Sequence, residues 1–314
     1  MNAENKSAIA PTTHRRESVA GSCAELAVRQ REGGQPEEVV HAAKRCIIDW
    51  FAASLPGASG RPALALETGL ADELGHGDAW TLSGCRAPMR VAALINGTAS
   101  HTVEFDDIFA PAIYHPGSPV IAAAIASAQG KRRSGRALIN AVIAGYEVST
   151  RIGAVMGAEH YRYWHTTGTI GTIGATAAVG VLHGLDRTQM AHAISASVTL
   201  AAGLQAAFRG DSELKPLHAG HAADAGHMAV ALCHSGVPSS RDMFESDVGF
   251  GRAMSRDVDW TETFAAPDHF NITRMTVKNH GCCGHIFPAL DGALTLQAEH
   301  GFAAEDVDRI EVGG

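Results

Sequence analysis

Apolar residues recur every three or four positions over most of the chain. Pro36 precedes Val39, Val40, Ala43, Ile47, Trp50 and Phe51, a spacing that predicts an amphipathic helix over 36–55 with proline in its first turn and Pro56-Gly57 at its end. The same pattern predicts helices near 22–32, 62–74, 87–99, 117–129, 135–156, 166–183, 187–207, 219–235 and 284–300, most of them closed by Gly, Pro or Asp. Near Pro267 the period changes. Asn271–Lys278 and Val307–Val312 alternate apolar and polar residues on either side of the last helix, an order that predicts strand, helix, strand. The expected architecture is mainly α. A polar tail over 1–18, expected to be disordered, precedes a large all-helical domain over 19–266, and 267–314 begins a smaller α+β lid. A lone βαβ unit cannot cover its own sheet, so the lid reads as truncated.

Composition supports the helical reading. Hydrophobic residues make up 46% and charged ones 18%, while aromatics are 6% and glycines number 34, which favours closely packed helices over a barrel or sandwich. The net charge of −8 offers no electrostatic footprint for nucleic acid or an anionic membrane. No run of about 20 apolar residues is long enough to span a membrane, and Met1–Ser18 has no apolar signal core. A soluble, cytoplasmic protein is expected. Cysteines at 23, 46, 85, 233, 282 and 283 lack redox or zinc-knuckle spacing and read as reduced thiols.

With 17 histidines, proton transfer and metal binding are the chemistries to test. His101, Glu104, Asp106, Asp107 and His115 fall in one loop after a helix, where carboxylates and imidazoles can tune each other's pKa. His165 stands before Thr166, Thr167 and Thr169 at a predicted helix start, where free N–H groups suit a substrate carboxylate. Gly168, Gly171 and Gly174 recur every third residue, which is not dinucleotide spacing and suits close helix packing. Lys215 precedes the next helix and could meet a carboxylate or act as acid or base. His218, His221, Asp224 and His227 lie three apart, the spacing of a metal pair, although strict i+3 spacing drifts around a helix. His280 and His285 flank Cys282-Cys283 in the loop before the last helix, a position where functional groups are often presented.

Eight stretches, in order, give the chain a family resemblance. They are Asn96-Gly97 with His101 and EFDD at 104–107, His115-Pro116, GYEVSTRIG at 145–153, WHTTGTIGTIGATAA at 164–178, HGLD at 183–186, KPLHAGHAADAG at 215–226, GFGRA at 249–253 and VKNHGCCGH at 277–285. Over about 20–314 the chain resembles the MmgE/PrpD family, which groups 2-methylcitrate dehydratase, cis-aconitate decarboxylase and iminodisuccinate epimerase. The resemblance implies a helical domain with an α+β lid, an active site between them, a homodimer, and a small di- or tricarboxylate substrate handled without metal or organic cofactor. It also implies that Glu104 to Asp107, His115, His165, Lys215 and His280 or His285 line the site. The family often has Asp at position 104, and a Thr–His pair where this chain has Ile286-Phe287.

The resulting expectation is a lyase, dehydratase or decarboxylase, that moves a proton next to a carboxylate. Lys215 and His165 hold substrate carboxylates, helped by Thr166 and His101. Asp107 or Glu104 orients a neighbouring histidine, and His115 with a lid histidine carries the proton. An epimerase using the same abstraction, and a non-catalytic helical dimerisation scaffold with an incomplete lid, are the alternatives.

Overall fold

The computed structural model describes residues 17–256, 258–264 and 269–313. The expected tail over 1–18 and the boundary at Pro267 fall almost wholly outside the described residues. The helices are α1 (Val19–Glu32), α2 (Glu37–Ala58), α3 (Arg61–Gly69), α4 (Met89–Ser100), α5 (Gly117–Gly130), α6 (Gly135–Tyr163), α7 (Thr166–His183), α8 (Arg187–Leu200), α9 (Lys215–His234), α10 (Phe250–Met254) and α11 (Phe287–His300). Two short strands, β1 (Ala79–Trp80) and β2 (Arg86–Ala87), pair antiparallel with Ala79 opposite Ala87.

Helix α7 is the axis of the core. Every residue from Thr166 to Leu182 is buried, and α5, α6, α8 and α9 surround it. Small residues make this possible. A Cβ at Gly171 would lie 2.6 Å from Pro119 of α5, and one at Gly174 2.8 Å from Ser149 of α6, so the every-third-residue glycines are packing surfaces. Helix α4 crosses α9 at another small-residue contact, where a Cβ on Gly220 would come within 2.2 Å of the Leu94 carbonyl. Dispersion across such close faces replaces the large side chains that this chain lacks.

Several boundaries differ from the sequence pattern. Helix α2 continues through Pro56 to Ala58. Gly57 marks the crossing with α4, since a Cβ there would strike the Ala99 carbonyl at 1.9 Å. Helix α6 extends to Tyr163 across a kink at Gly157, whose φ of +69° is a glycine conformation. Helix α9 starts at Lys215, four residues before the expected start, because proline at its second position suits a first turn. Helix α8 ends at Leu200, and a 3-10 turn at Gln205–Phe208 replaces its expected end.

Both expected strands of the lid are absent. Asn271–Arg274 is a 3-10 turn followed by one isolated bridge between Thr276 and Ile108, and Val307–Val312 has no regular structure. A strand exists only through a ladder to a neighbour, and among the described residues neither run has one. The 269–274 segment is held by α6 instead. Arg151 donates to the His269 carbonyl at 2.5 Å, and Glu147 accepts the Ile272 N–H at 2.9 Å.

Candidate active site

The loop after α4 turns back under the N-terminal ends of α5 and α7. This fold brings seven of the sequence candidates together: His101, Glu104, Asp106, Asp107, His115, His165 and Lys215. Their neighbours are His218 and Lys278. His101 caps the C-terminal end of α4 and is fully buried. Its Nδ1–H donates to Asp106 Oδ2 at 2.7 Å, and Ser118 Oγ donates to the same oxygen at 2.7 Å. The carboxylate orienting His101 is therefore Asp106, not Asp107 or Glu104. Burial alone would raise the Asp106 pKa, but His101, then His115 and Lys278, hold it well below the ordinary carboxylate range.

Asp107 serves through its backbone. Its carbonyl accepts His115 Nδ1–H at 2.8 Å, which leaves the lone pair of His115 on Nε2, the atom available as a base. Burial pushes His115 down to about 4, so the ring is neutral near pH 7. The Asp107 carboxyl group accepts the Gly117 N–H at 3.0 Å and the Tyr146 hydroxyl at 2.7 Å. Burial, with Asp49 nearby, pushes it up to about 8.

Four imidazoles form a row. Ring centroids are 5.1 Å apart from His115 to His101, 5.2 Å from His101 to His165 and 5.2 Å from His165 to His218. His165 is the N-cap of α7, and burial drives its pKa well below the ordinary imidazole value. Beside it the buried Thr166 hydroxyl has no hydrogen-bond partner. Two ammonium groups flank the row. Lys215, at the first turn of α9, pairs with Glu104 and lies 5.3 Å above the Phe208 ring. Glu104 adopts φ +56°, and although burial would raise its pKa, His101 and Lys215 hold it low. Lys278, buried, donates to the Glu104 carbonyl at 2.6 Å and sits 4.0 Å from Asp106. A cleft of about 430 Å³ opens beside the Lys215–Glu104 pair, lined by Arg61, Thr102, Glu104, Phe208, Ser212 and Lys215, within the size range of small-ligand sites.

His280 and His285 stand apart from the row. His280 Nε2 bonds Asp291 at 2.7 Å and His285 Nδ1 meets Cys283 Sγ at 3.3 Å, the first ring half-buried and the second exposed, both within their own segment. The histidine stripe of α9 is also dispersed. His218 meets His165, His221 bonds the Leu200 carbonyl at 3.2 Å, Asp224 accepts Arg90 at 2.6 and 3.0 Å, and His227 bonds Ser127 at 2.9 Å. Helical drift turns the four side chains toward different neighbours.

His101, Asp106 and His115 offer ligand atoms within 4.8 Å of one another, close enough to share a cation. Their wiring suits protons better, because Asp106 Oδ2 already accepts two hydrogen bonds, His115 Nδ1 is committed to a carbonyl, and the Lys278 ammonium already supplies a positive charge.

Sequence reasoning passed over Lys278 and Asp49. Lys278 opens the VKNHGCCGH stretch, whose histidines drew attention away from it. Asp49 lies on α2 amid apolar residues, where a carboxylate on a core face was the available signal; burial, with Asp106 nearby, raises it to about 6.

Comparison with known proteins adds a lineage. The model of the MmgE/PrpD N-terminal domain matches residues 22–263. Human cis-aconitate decarboxylase is 32% identical over 178 residues, covering 55% of this chain and 36% of that protein. The cis-aconitate decarboxylase-like protein oryM of Aspergillus oryzae is 27% identical over 290 residues, covering 84% of this chain and 58% of the relative. Cis-aconitate decarboxylase of Aspergillus terreus is 27% identical over 288 residues, covering 84% and 57%. The chain thus spans less than two thirds of the length of each of these relatives.

Proposed function

This chain belongs to the MmgE/PrpD family, and on that premise we propose that it is a lyase for a small unsaturated tricarboxylate of the cis-aconitate type, working by proton transfer next to a carboxylate. The observation that carries the reading is the buried row from His115 to His218 with Lys215 and Lys278 at its flanks. An imidazole accepts a proton when neutral and returns it as imidazolium, and fixed ammonium groups bind carboxylates.

In this mechanism Lys215 exchanges Glu104 for a substrate carboxylate. The α7 terminus, with His165 and Thr166, holds a second one. When a carboxylate leaves as CO2, its bonding pair moves into the substrate as a shifted double bond, and the carbon at the far end takes a proton from an imidazole. His115, its Nε2 lone pair set by the Asp107 carbonyl, is the residue assigned to that proton: neutral at rest, it takes up a solvent proton at Nε2, passes it to the carbon and returns to the neutral ring. The charge that develops is spread over a remaining carboxylate, so cations contribute more to the transition state than to the ground state. The same groups serve dehydration of a hydroxy acid. His280 and His285 take no part.

The test is proton NMR in D2O with citrate-like, aconitate-like and aspartate-like acids, before and after dialysis against EDTA. Loss of CO2 from the aconitate-like acid with one deuteron incorporated, unchanged by EDTA, is expected. Deuterium exchange with no loss of CO2 or water would favour an epimerase. A fully inert panel would overturn the lyase reading.

A further inference from the structure

His165 and His218 meet nitrogen to nitrogen. Their Nδ1 atoms are 3.0 Å apart, a distance with room for one proton. Two N–H groups would point at each other, and two lone pairs would repel. Burial, followed by the charge of His101, lowers the pKa of both rings, and His218 falls to about 4. Near pH 7 each ring is neutral and carries one proton. The two tautomers are therefore linked: whichever ring holds the Nδ1 proton, the other has its own on Nε2.

The approach of the two rings is built into the backbone. Gly203, at φ +133°, accepts the His165 backbone N–H at 2.8 Å, and a Cβ on Gly203 would lie 3.2 Å from His218 Cγ and Nδ1. A Cβ on Gly168 would lie 3.1 Å from His218 Cβ. One glycine therefore fixes the His165 backbone and passes beneath the His218 ring. Among the described residues His165 Nδ1 is the one hydrogen-bond partner of that ring. The charged and titratable groups acting on the pair are Lys215 and His221 on α9, His101 at the end of α4 and His115 in the loop that follows.

We propose that His218 is a positioning residue that sets the tautomer of His165: it holds the shared Nδ1 proton, so that His165 presents Nε2–H to a ligand carboxylate. This rests on the reading of the site as one for carboxylates. An Nε2 lone pair at that point would face an anion, whereas an N–H adds a donor to those at the α7 terminus.

Long-range proton–nitrogen correlation spectra of the full chain, labelled with 15N-histidine and assigned with His165→Gln and His218→Leu, read both tautomers directly. In the free protein His165 is expected with a protonated Nε2 and a bare Nδ1, and His218 with a protonated Nδ1. Tricarballylate, a saturated tricarboxylate, should leave this pattern in place. In His218→Leu, with its helical circular dichroism retained, the preference at His165 is lost and turnover falls tenfold to a hundredfold. His218→Asn, whose amide N–H can replace the donor, restores the Nε2–H tautomer and most of the rate. A wild-type His165 protonated on Nδ1, or a His165 tautomer unaffected in His218→Leu, would overturn the proposal. The spectra require no turnover, so the expected tautomers in a protein inert toward every acid would count against the lyase reading alone.

Discussion

Helices α7 and α11 begin from similar material and reach opposite ends. Both mix small residues with Leu, Ile or Thr, and both follow a histidine-bearing loop. Every residue of α7 from Thr166 to Leu182 is buried, and none of α11 is. Around α7, polar side chains have lost water and must satisfy one another, so His101, Asp106, Ser118 and His115 form a wired network in which the pKa values of Asp106 and His115 are displaced. Around α11, His280 bonds Asp291, 11 positions on, and His285 meets Cys283, two positions back. The same residue type becomes a candidate for chemistry in one region and a solvated neighbour in the other, because desolvation is what gives an imidazole a fixed partner and a shifted pKa.

The largest expected contrast is in activity. Lys215→Ala should lower kcat/KM on the order of a thousandfold, about 4 kcal/mol of transition-state stabilisation. Its thermal midpoint should move little, since a partly exposed ion pair contributes about 1 kcal/mol or less. Steady-state kinetics beside a melting curve decides this, and equal losses of activity and stability would make Lys215 a structural residue.

Acid should expose the buried region next. His115 and His160 titrate near 4 in the folded chain, whereas the unfolded chain takes up their protons near 6.5. Their contribution is whole above pH 6.5 and disappears as pH falls toward 4, roughly 3 kcal/mol for each ring. Urea unfolding at pH 7 and 4.5 should show that loss, reduced in His115→Gln. Asp107 has the opposite sign. Its pKa of about 8 gives a contribution that is whole below the ordinary carboxylate value and fades as pH rises through 8, so Asp107→Asn should flatten the alkaline limb.

A pair of alanine substitutions tests packing itself. Gly220→Ala forces a methyl group against the Leu94 carbonyl and should destabilise by about 2–3 kcal/mol. Gly292→Ala, in α11, meets nothing within 4 Å and should stabilise by about 0.5–1 kcal/mol through helix propensity. Chemical denaturation of the two variants measures both signs. The smallest effect is expected at His280→Ala and His285→Ala, each leaving turnover within twofold; a hundredfold loss at either would bring the loop before α11 into the machinery.

The helices of the core were legible because amphipathic and small-residue periodicity is a local property, and α5, α7 and α9 lie close to where spacing put them. Their ends were less so. Gly57 read as a stop and is a crossing point, which only the position of α4 reveals. Alternation over Asn271–Lys278 and Val307–Val312 read as strands, yet a strand is a relation between two segments, and neither run has its partner among the described residues. For the site, His101, Glu104, Asp106, Asp107, His115, His165 and Lys215 could be named from residue type and loop context, and the fold brings them together. The division of labour among them could not be named.

Sequence alone determined which residue types were at hand and which stretches would coil, since both depend on side chains a few positions apart. Tertiary structure decided that Asp106 and not its neighbours orients His101, that Asp107 acts on His115 through a carbonyl, that His218 leaves its stripe to meet His165, and that Lys278 comes from 174 residues away to reach Glu104. These relations cross large sequence separations and turn on differences of an ångström in helix packing, which local pattern does not encode.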